Sequence, residues 1–157
     1  MATAILLKSL LHNIGVLIVG FCFAFLGRAI DSLVGITRFH SVFATAVALL
    51  LLAIGFLLRV WATYLFYGQH MKVISLVPQK QLITSGPYRI SRNPLYLGGN
   101  VFIFLGAVLF LGSTTGIALT AVNIFVVDVT IRREEKQLAQ EFGEAWAQYR
   151  KRVRRWL

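Results

Sequence analysis

The sequence predicts an all-α integral membrane protein with four transmembrane helices, the last two forming a tight hairpin, and an amphipathic C-terminal helix at the interface. Hydrophobic residues make up 57% of the 157 positions and charged residues only 14%. Soluble domains carry about 45–50% apolar and about 25% charged residues, so a water-soluble fold is disfavoured. The 12 Phe, 5 Tyr and 3 Trp supply more burial than a disordered chain has. The length leaves room for one membrane-embedded domain over residues 1–157.

Hydropathy divides the chain into four spans. Residues 10–29 and 43–66 each supply the roughly 20 residues that cross a hydrocarbon core of about 30 Å at 1.5 Å per residue. Residues 95–111 and 117–131 are shorter apolar runs. The polar residues 112–116 between them predict a tight turn, and therefore a helical hairpin.

The segment 134–157 is predicted to be an amphipathic helix. Its large apolar residues recur every three or four positions, at Leu138, Phe142, Trp146, Tyr149, Val153 and Trp156. Such a stripe is typical of a helix that lies on the membrane interface or on the ends of other helices. We expect this helix to contribute packing first and to cover a bound cofactor second.

The net charge of +10 predicts the topology. Basic residues concentrate in the segment 68–94 and in the tail, whereas the loop 31–41 and the turn 112–116 carry almost none. The positive-inside rule therefore places both basic segments and the two termini in the cytoplasm. The basic tail is expected to meet anionic lipid headgroups. No module or stacking motif accompanies the charge, which argues against nucleic acid as a partner.

The segment 68–94 is a polar loop of about 26 residues, a length that is more often functional than idle in so small a protein. It ends in the run GPYRISRNPLYLGG, residues 86–99. Gly86-Pro87 predicts a turn. Asn93 is expected to cap the third span with Pro94 at its first helical position, and local chemistry alone predicts no more than this capped entry.

The run at 86–99 resembles the signature of the membrane methyltransferases that include isoprenylcysteine carboxyl methyltransferase and the phospholipid N-methyltransferases. Residues 59–62 (Arg-Val-Trp-Ala) resemble the family's R-x-W-A at the end of the preceding helix. Residues 134–153 resemble its E-E-x-x-L…F-G-E ending. The three pieces occur in the family's order and together cover roughly residues 55–157. Asn93 stands where the family usually has His, and Thr130 stands where the prenylcysteine enzymes have Arg.

The resemblance implies an S-adenosylmethionine site at the cytoplasmic end of the helices, covered by the loop and the C-terminal helix. The implied cofactor contacts are Lys80, Gln81, Leu82, Ile83, Tyr88, Asn93, Pro94, Leu95, Tyr96 and Glu134. A helix N-terminus suits the methionine carboxylate, and aromatic faces suit a sulfonium cation. A carboxylate can accept hydrogen bonds from an amino group or from ribose hydroxyls.

Glu134, Glu135, Arg59 and Arg132 are the candidate catalytic residues. The carboxylates could deprotonate an amine acceptor, and an arginine could hold a substrate anion. Simpler roles stay open at this point. Arg59 could snorkel to the interface, Asp128 could pair with Arg132 one turn later, and the two glutamates could form an ordinary charged helix end.

The sequence therefore predicts S-adenosylmethionine-dependent methyl transfer to a lipidic or isoprenoid-type acceptor, at a carboxyl oxygen or an amine nitrogen, on the cytoplasmic face. The alternative is a non-catalytic lipid-binding or scaffold protein that keeps the fold. A transporter is disfavoured because the spans hold too few polar groups to line a path. The histidines and the single cysteine lack metal-ligand spacing, so no metal site is expected.

Overall fold

The computed structural model describes residues 2–71 and 81–157, and within these ranges every regular element is helical. The long helices are α1 (Ala2–Leu33), α2 (Val42–Gly68), α3 (Pro94–Leu111) and α4 (Thr114–Arg152). A short 3₁₀ helix, Gly86–Arg89, precedes α3. All four long helices are apolar enough to cross a membrane, which confirms the predicted number of spans.

Small residues form the contacts between the helices. A Cβ added to Gly27 of α1 would lie 2.6 Å from the Cα of Gly116 in α4. A Cβ added to Gly55 of α2 would lie 2.6 Å from the carbonyl oxygen of Gly98 in α3. Close backbone approach through small residues is the usual packing mode of membrane helices.

The buried face of α1 consists of small and polar residues: Ser9, Asn13, Gly20, Ala24, Gly27 and Asp31. Its large apolar side chains, including Leu11, Ile18 and Phe25, lie on the outside. This arrangement is opposite to that of a soluble helix, because lipid and not water covers the outer face.

Helix α3 begins where the sequence predicts, but the predicted cap is wrong. Asn93 occupies the N-cap position and Pro94 the first turn, yet the Asn93 side chain makes no capping hydrogen bond. Its amide donates instead to the carbonyl oxygen of Arg155, at 3.1 Å. Residues Leu97–Ile103 then form a π-helical segment, a local widening that is frequent at functional sites.

Only Gly112 and Ser113 separate α3 from α4, because Gly112 adopts a left-handed conformation (φ 64°). Asp31, which is fully buried, accepts hydrogen bonds from the Ser113 hydroxyl at 2.7 Å and the Thr115 backbone N–H at 2.9 Å. The carboxylate thus binds the positive end of α4 and ties α1 to α4 at the end of the molecule opposite the 3₁₀ helix.

Helix α4 is longer than the predicted fourth span. It continues through the predicted start of the tail helix at 134 and changes direction only at Gly143, whose φ is 49° and ψ −119°. The polar residues that follow the apolar span are good helix formers, so polarity alone does not end the helix. The tail helix therefore begins after Gly143.

Candidate functional site

A buried arginine joins α1, α2 and α3 at the end of the molecule where the 3₁₀ helix lies. Arg59 is 7% exposed. Its Nε donates to Asn13 Oδ1 at 2.8 Å, and its Nη1 donates to the Leu95 carbonyl oxygen at 2.6 Å. Cβ atoms at Gly98 or Gly99 would each lie 2.7 Å from an Arg59 atom. The guanidinium points into the helix bundle, so the snorkelling alternative is wrong.

Two parts of the recognised pattern meet in one contact. The Tyr96 hydroxyl, from the first turn of α3, donates to Glu134 Oε1 at 2.7 Å across 38 residues of sequence. Glu134 is half-buried. Within residues 2–71 and 81–157 no lysine or arginine forms an ion pair with it. The Glu134 carboxylate, held by the neutral Tyr96 hydroxyl, is thus available to bind a cationic or hydrogen-bond-donating group.

The adjacent Glu135 has very different surroundings. Arg92 Nη2 donates to Oε1 and Arg155 Nη2 donates to Oε2, both at 2.7 Å. The side chains of Arg92 and Glu135 are 7% and 10% exposed. The hydrogen bond that Arg155 donates to the Glu135 carboxylate raises the pKa of Arg155 above its ordinary value. Both carboxylate oxygens of Glu135 are occupied, so the cluster is a partly buried ion triad that fixes the tail.

The C-terminal residues dock on the segment before α3. The backbone N–H of Arg92 donates to the Arg154 carbonyl oxygen at 2.9 Å. The Ser91 hydroxyl donates to the Arg155 carbonyl oxygen at 3.0 Å, alongside the Asn93 amide. These bonds place the tail over the N-terminal end of α3, whose first-turn N–H groups the Asn93 side chain leaves uncapped.

Asp128 pairs with Arg132 one turn later on α4, as the simpler prediction proposed. Arg132 Nε donates to Asp128 Oδ2 at 2.7 Å, and the Arg132 side chain is 61% exposed. Trp156 Nε1 also donates to Asp128, at 3.2 Å. The exposed Thr130 donates to the Val126 carbonyl oxygen of its own helix. Arg132 is thus engaged on the outer surface of α4.

An aromatic cluster lies between the 3₁₀ helix and the tail. Its buried members include Ile83, Tyr88, Trp146 and Tyr149, with Leu82 and Leu95 packed against them. The Tyr149 hydroxyl donates to the Tyr88 carbonyl oxygen at 2.7 Å. Burial raises the pKa of Tyr88 above its ordinary value, so its phenol stays neutral.

The fold brings most of the sequence-predicted cofactor residues to one end of the bundle. Leu82, Ile83, Tyr88 and Leu95 share the aromatic cluster, and Tyr96 contacts Glu134. Asn93 and the buried Pro94 lie at the start of α3, and Gln81 is exposed. Lys80 lies outside the described residues.

Sequence reasoning missed the polar network on α1 and α2 that holds Asn13, the partner of Arg59. Asn13 donates to the Thr63 hydroxyl at 2.8 Å, and the Ser9 hydroxyl contacts the same Thr63 hydroxyl. The available signal was the four-residue spacing of Ser9 and Asn13, which puts two polar groups on one face of an apolar helix.

An open apolar groove lies on the outer surface between α1 and α2, with a volume of about 490 Å³. It is lined by Ala2, Thr3, Leu6, Leu57, Val60, Trp61 and Tyr64. Its apolar walls suit a hydrocarbon chain, as expected of a surface that lipid covers.

Comparison with known proteins identifies the family to which the chain belongs. The model of the phospholipid methyltransferase family matches residues 43–145, which contain α2, the 3₁₀ helix, α3 and α4 as far as the tail. No curated protein and no solved structure matches the chain. The match covers more than half of the chain and includes the Tyr96–Glu134 contact. Together with the four apolar helices, it means that this multi-pass membrane protein belongs to the phospholipid methyltransferase family.

Proposed function

We propose that this protein transfers a methyl group from S-adenosylmethionine to a lipidic acceptor at the membrane face where the 3₁₀ helix and the tail lie. The observation that carries the proposal is the Tyr96–Glu134 contact. It joins the first turn of α3 to a half-buried carboxylate next to Glu135, which pairs with Arg155 of the tail, in a family of methyltransferases.

The residues present fit the three chemical parts of the cofactor. The uncapped first turn of α3 offers N–H groups to a carboxylate. Glu134 offers an acceptor for an amino group or ribose hydroxyls. Tyr88 and Tyr96 offer aromatic faces for a sulfonium or an adenine ring, and Leu82 and Ile83 add apolar contact. We retain Asn93, Pro94 and Leu95 in this set by position, and Gln81 and Lys80 by family resemblance.

S-adenosylmethionine, when bound, supplies an electrophilic methyl group on a sulfonium. No proton has to be delivered to the leaving group, so the chain acts mainly by alignment and by exclusion of water. The tail excludes water, and Glu135 holds the tail through Arg92 and Arg155. We therefore assign Glu135 a positioning role, and the catalytic role passes to Glu134.

The surroundings of Glu134 favour an amine as the acceptor. Its carboxylate attracts an ammonium group and can accept the proton, which leaves the nitrogen lone pair free to take the methyl group. A carboxylate acceptor would instead be repelled. Thr130 offers it no charge, and Arg132 is engaged with Asp128.

The exposed tail residues Arg150, Lys151, Arg152 and Arg154 form a basic surface at this same end. We propose that this surface contacts anionic lipid headgroups, each basic residue contributing about 1 kcal/mol near a negatively charged leaflet. Such contact would hold the tail against the membrane while the acceptor diffuses in from the bilayer.

The test uses membranes that contain the full chain, methyl-labelled S-adenosylmethionine, and vesicles with either an aminolipid or a prenylcysteine with a free carboxylate. We expect label in the aminolipid, stable to alkali as an N-methyl group is. Label that alkali releases as methanol would reassign the acceptor to a carboxyl group. No label, together with no cofactor binding by calorimetry in a folded sample, would favour the scaffold alternative.

A further inference from the structure

A second cluster of polar side chains lies beside α3 and includes Arg59. We define the first-span basic cluster as Lys8, His12, Arg59 and Tyr67. Arg59 Nη2 lies 3.3 Å from His12 Nε2, and the Tyr67 hydroxyl lies 3.2 Å from His12 Nδ1. Lys8 Nζ lies 4.5 Å from the centre of the Tyr67 ring. Lys8 and His12 are four residues apart on α1 and share one face.

No carboxylate of the chain balances this cluster. All six acidic side chains lie within the described residues, and none of their ion pairs involves Lys8 or Arg59. Arg59 instead contacts three neutral partners, an amide, a backbone carbonyl and an imidazole. A buried cation without a counter-charge is costly in a membrane protein. An anion from outside the chain would supply the missing counter-charge.

The donors left over in the cluster match a phosphate group. A guanidinium has five N–H groups, of which three make the contacts described, and it binds phosphate oxygens well. Because arginine cannot accept a hydrogen bond, His12 Nε2 accepts from Arg59 and His12 Nδ1–H donates to Tyr67. The Tyr67 hydroxyl hydrogen is then free to donate, and the exposed Lys8 ammonium adds three more donors.

We propose that the first-span basic cluster binds a phosphate group, with Arg59, Tyr67 and Lys8 as its donors and His12 as the bridge that orients them. The cluster lies at the level of the first turn of α3, where a spanning helix meets the headgroups. The phosphate can therefore belong to a lipid headgroup or be free phosphate. The inference goes beyond the proposed function, because a phosphate site does not require methyl transfer.

The test titrates the full-length protein in detergent with dioleoylphosphatidylglycerol, and separately with dioleoylglycerol, which lacks the phosphate, and counts bound lipid by native mass spectrometry. The variant is Lys8→Gln/Tyr67→Phe, which removes two donors and leaves the buried Arg59 in place. We expect it to bind the phospholipid about tenfold more weakly, as the loss of charge-assisted hydrogen bonds implies. Binding of the diacylglycerol should not change.

The matched control is Lys136→Gln/Tyr64→Phe, which removes the same groups from an exposed position of α4 and from the apolar groove. Equal weakening in both double variants, or none in the first, would overturn the inference. The exposed single variant Lys8→Gln keeps the test decisive if the double variant does not fold. Thermal stabilisation of the native protein by inorganic phosphate, lost in the variant, would identify free phosphate as the occupant. Cofactor binding on the same samples separates this inference from the proposed function.

Discussion

Glu134 and Glu135 are neighbours in the sequence but point into different surroundings, because successive residues of a helix are rotated by about 100°. Glu134→Gln keeps the shape of the side chain and removes its charge. We expect cofactor affinity to fall about 10- to 100-fold, the usual loss for one charge-assisted hydrogen bond, with little change in melting temperature. Calorimetry with S-adenosylmethionine measures this. The control is Glu144→Gln, an exposed change on the tail helix. Equal affinities in the two variants would place the pocket elsewhere.

Glu135→Gln should instead act on stability and lower the melting temperature. It leaves Arg92 and Arg155 facing each other without a counter-charge. We expect the free energy of unfolding to fall by about 2–4 kcal/mol. This is less than for a fully buried ion pair, because 24% of the Arg155 side chain is exposed. Thermal unfolding in detergent measures it, with Lys136→Gln as the neighbouring exposed control. A melting temperature equal to that of the control would mean that the ion triad does not hold the tail.

At the scale of elements, the break in α4 aims the tail at the 3₁₀ helix. Gly143 has φ 49°, and a Cβ added there would meet no atom within 4 Å. The cost of Gly143→Ala is therefore backbone strain, about 1–3 kcal/mol. If α4 instead continued as a regular helix through residue 143, the strain would be relieved. Trp146 and Tyr149 would then move away from Tyr88.

Tryptophan fluorescence and the melting temperature both report on this change. We expect a red-shifted emission and a lower melting temperature for Gly143→Ala. Gly15→Ala is the control, since Gly15 lies in regular helix and also has no neighbour within 4 Å. Alanine there should leave stability equal or raise it by up to about 1 kcal/mol. Equal emission maxima and melting temperatures in the two variants would show that the break at Gly143 does not position the tail.

At the scale of the whole molecule, the structure ties two polar segments to one end of the bundle. Arg92 and Arg154 share a backbone hydrogen bond, while the basic charge predicts that this end is cytoplasmic. Single cysteines at the exposed positions Arg89 and Arg152, in a protein with Cys22 replaced, should react with an impermeant maleimide from the cytoplasmic side only. A cysteine at Val34, at the end of α1, should react from the other side. Labelling of the cysteines at positions 89 and 152 from opposite sides of the membrane would contradict a site shared by the two segments.

The sequence by itself determined the class of protein, the number of spans and the positions of the family pattern. Each of these depends on local information: a run of apolar residues is long enough to cross a bilayer whatever it packs against. The pairing of Asp128 with Arg132 was predictable for the same reason, because the two lie one helical turn apart.

Only the tertiary structure decided which polar groups face one another. Asn93 has the sequence of a cap, yet its amide binds a carbonyl oxygen 62 residues away, because the docked tail offers a partner there. Arg59 turns inward because glycines at 98 and 99 leave room for it beside α3. Glu134 and Glu135 look equivalent in the sequence and differ in the fold. A side chain's partner depends on where distant segments are placed, and that is a property of packing and not of local pattern.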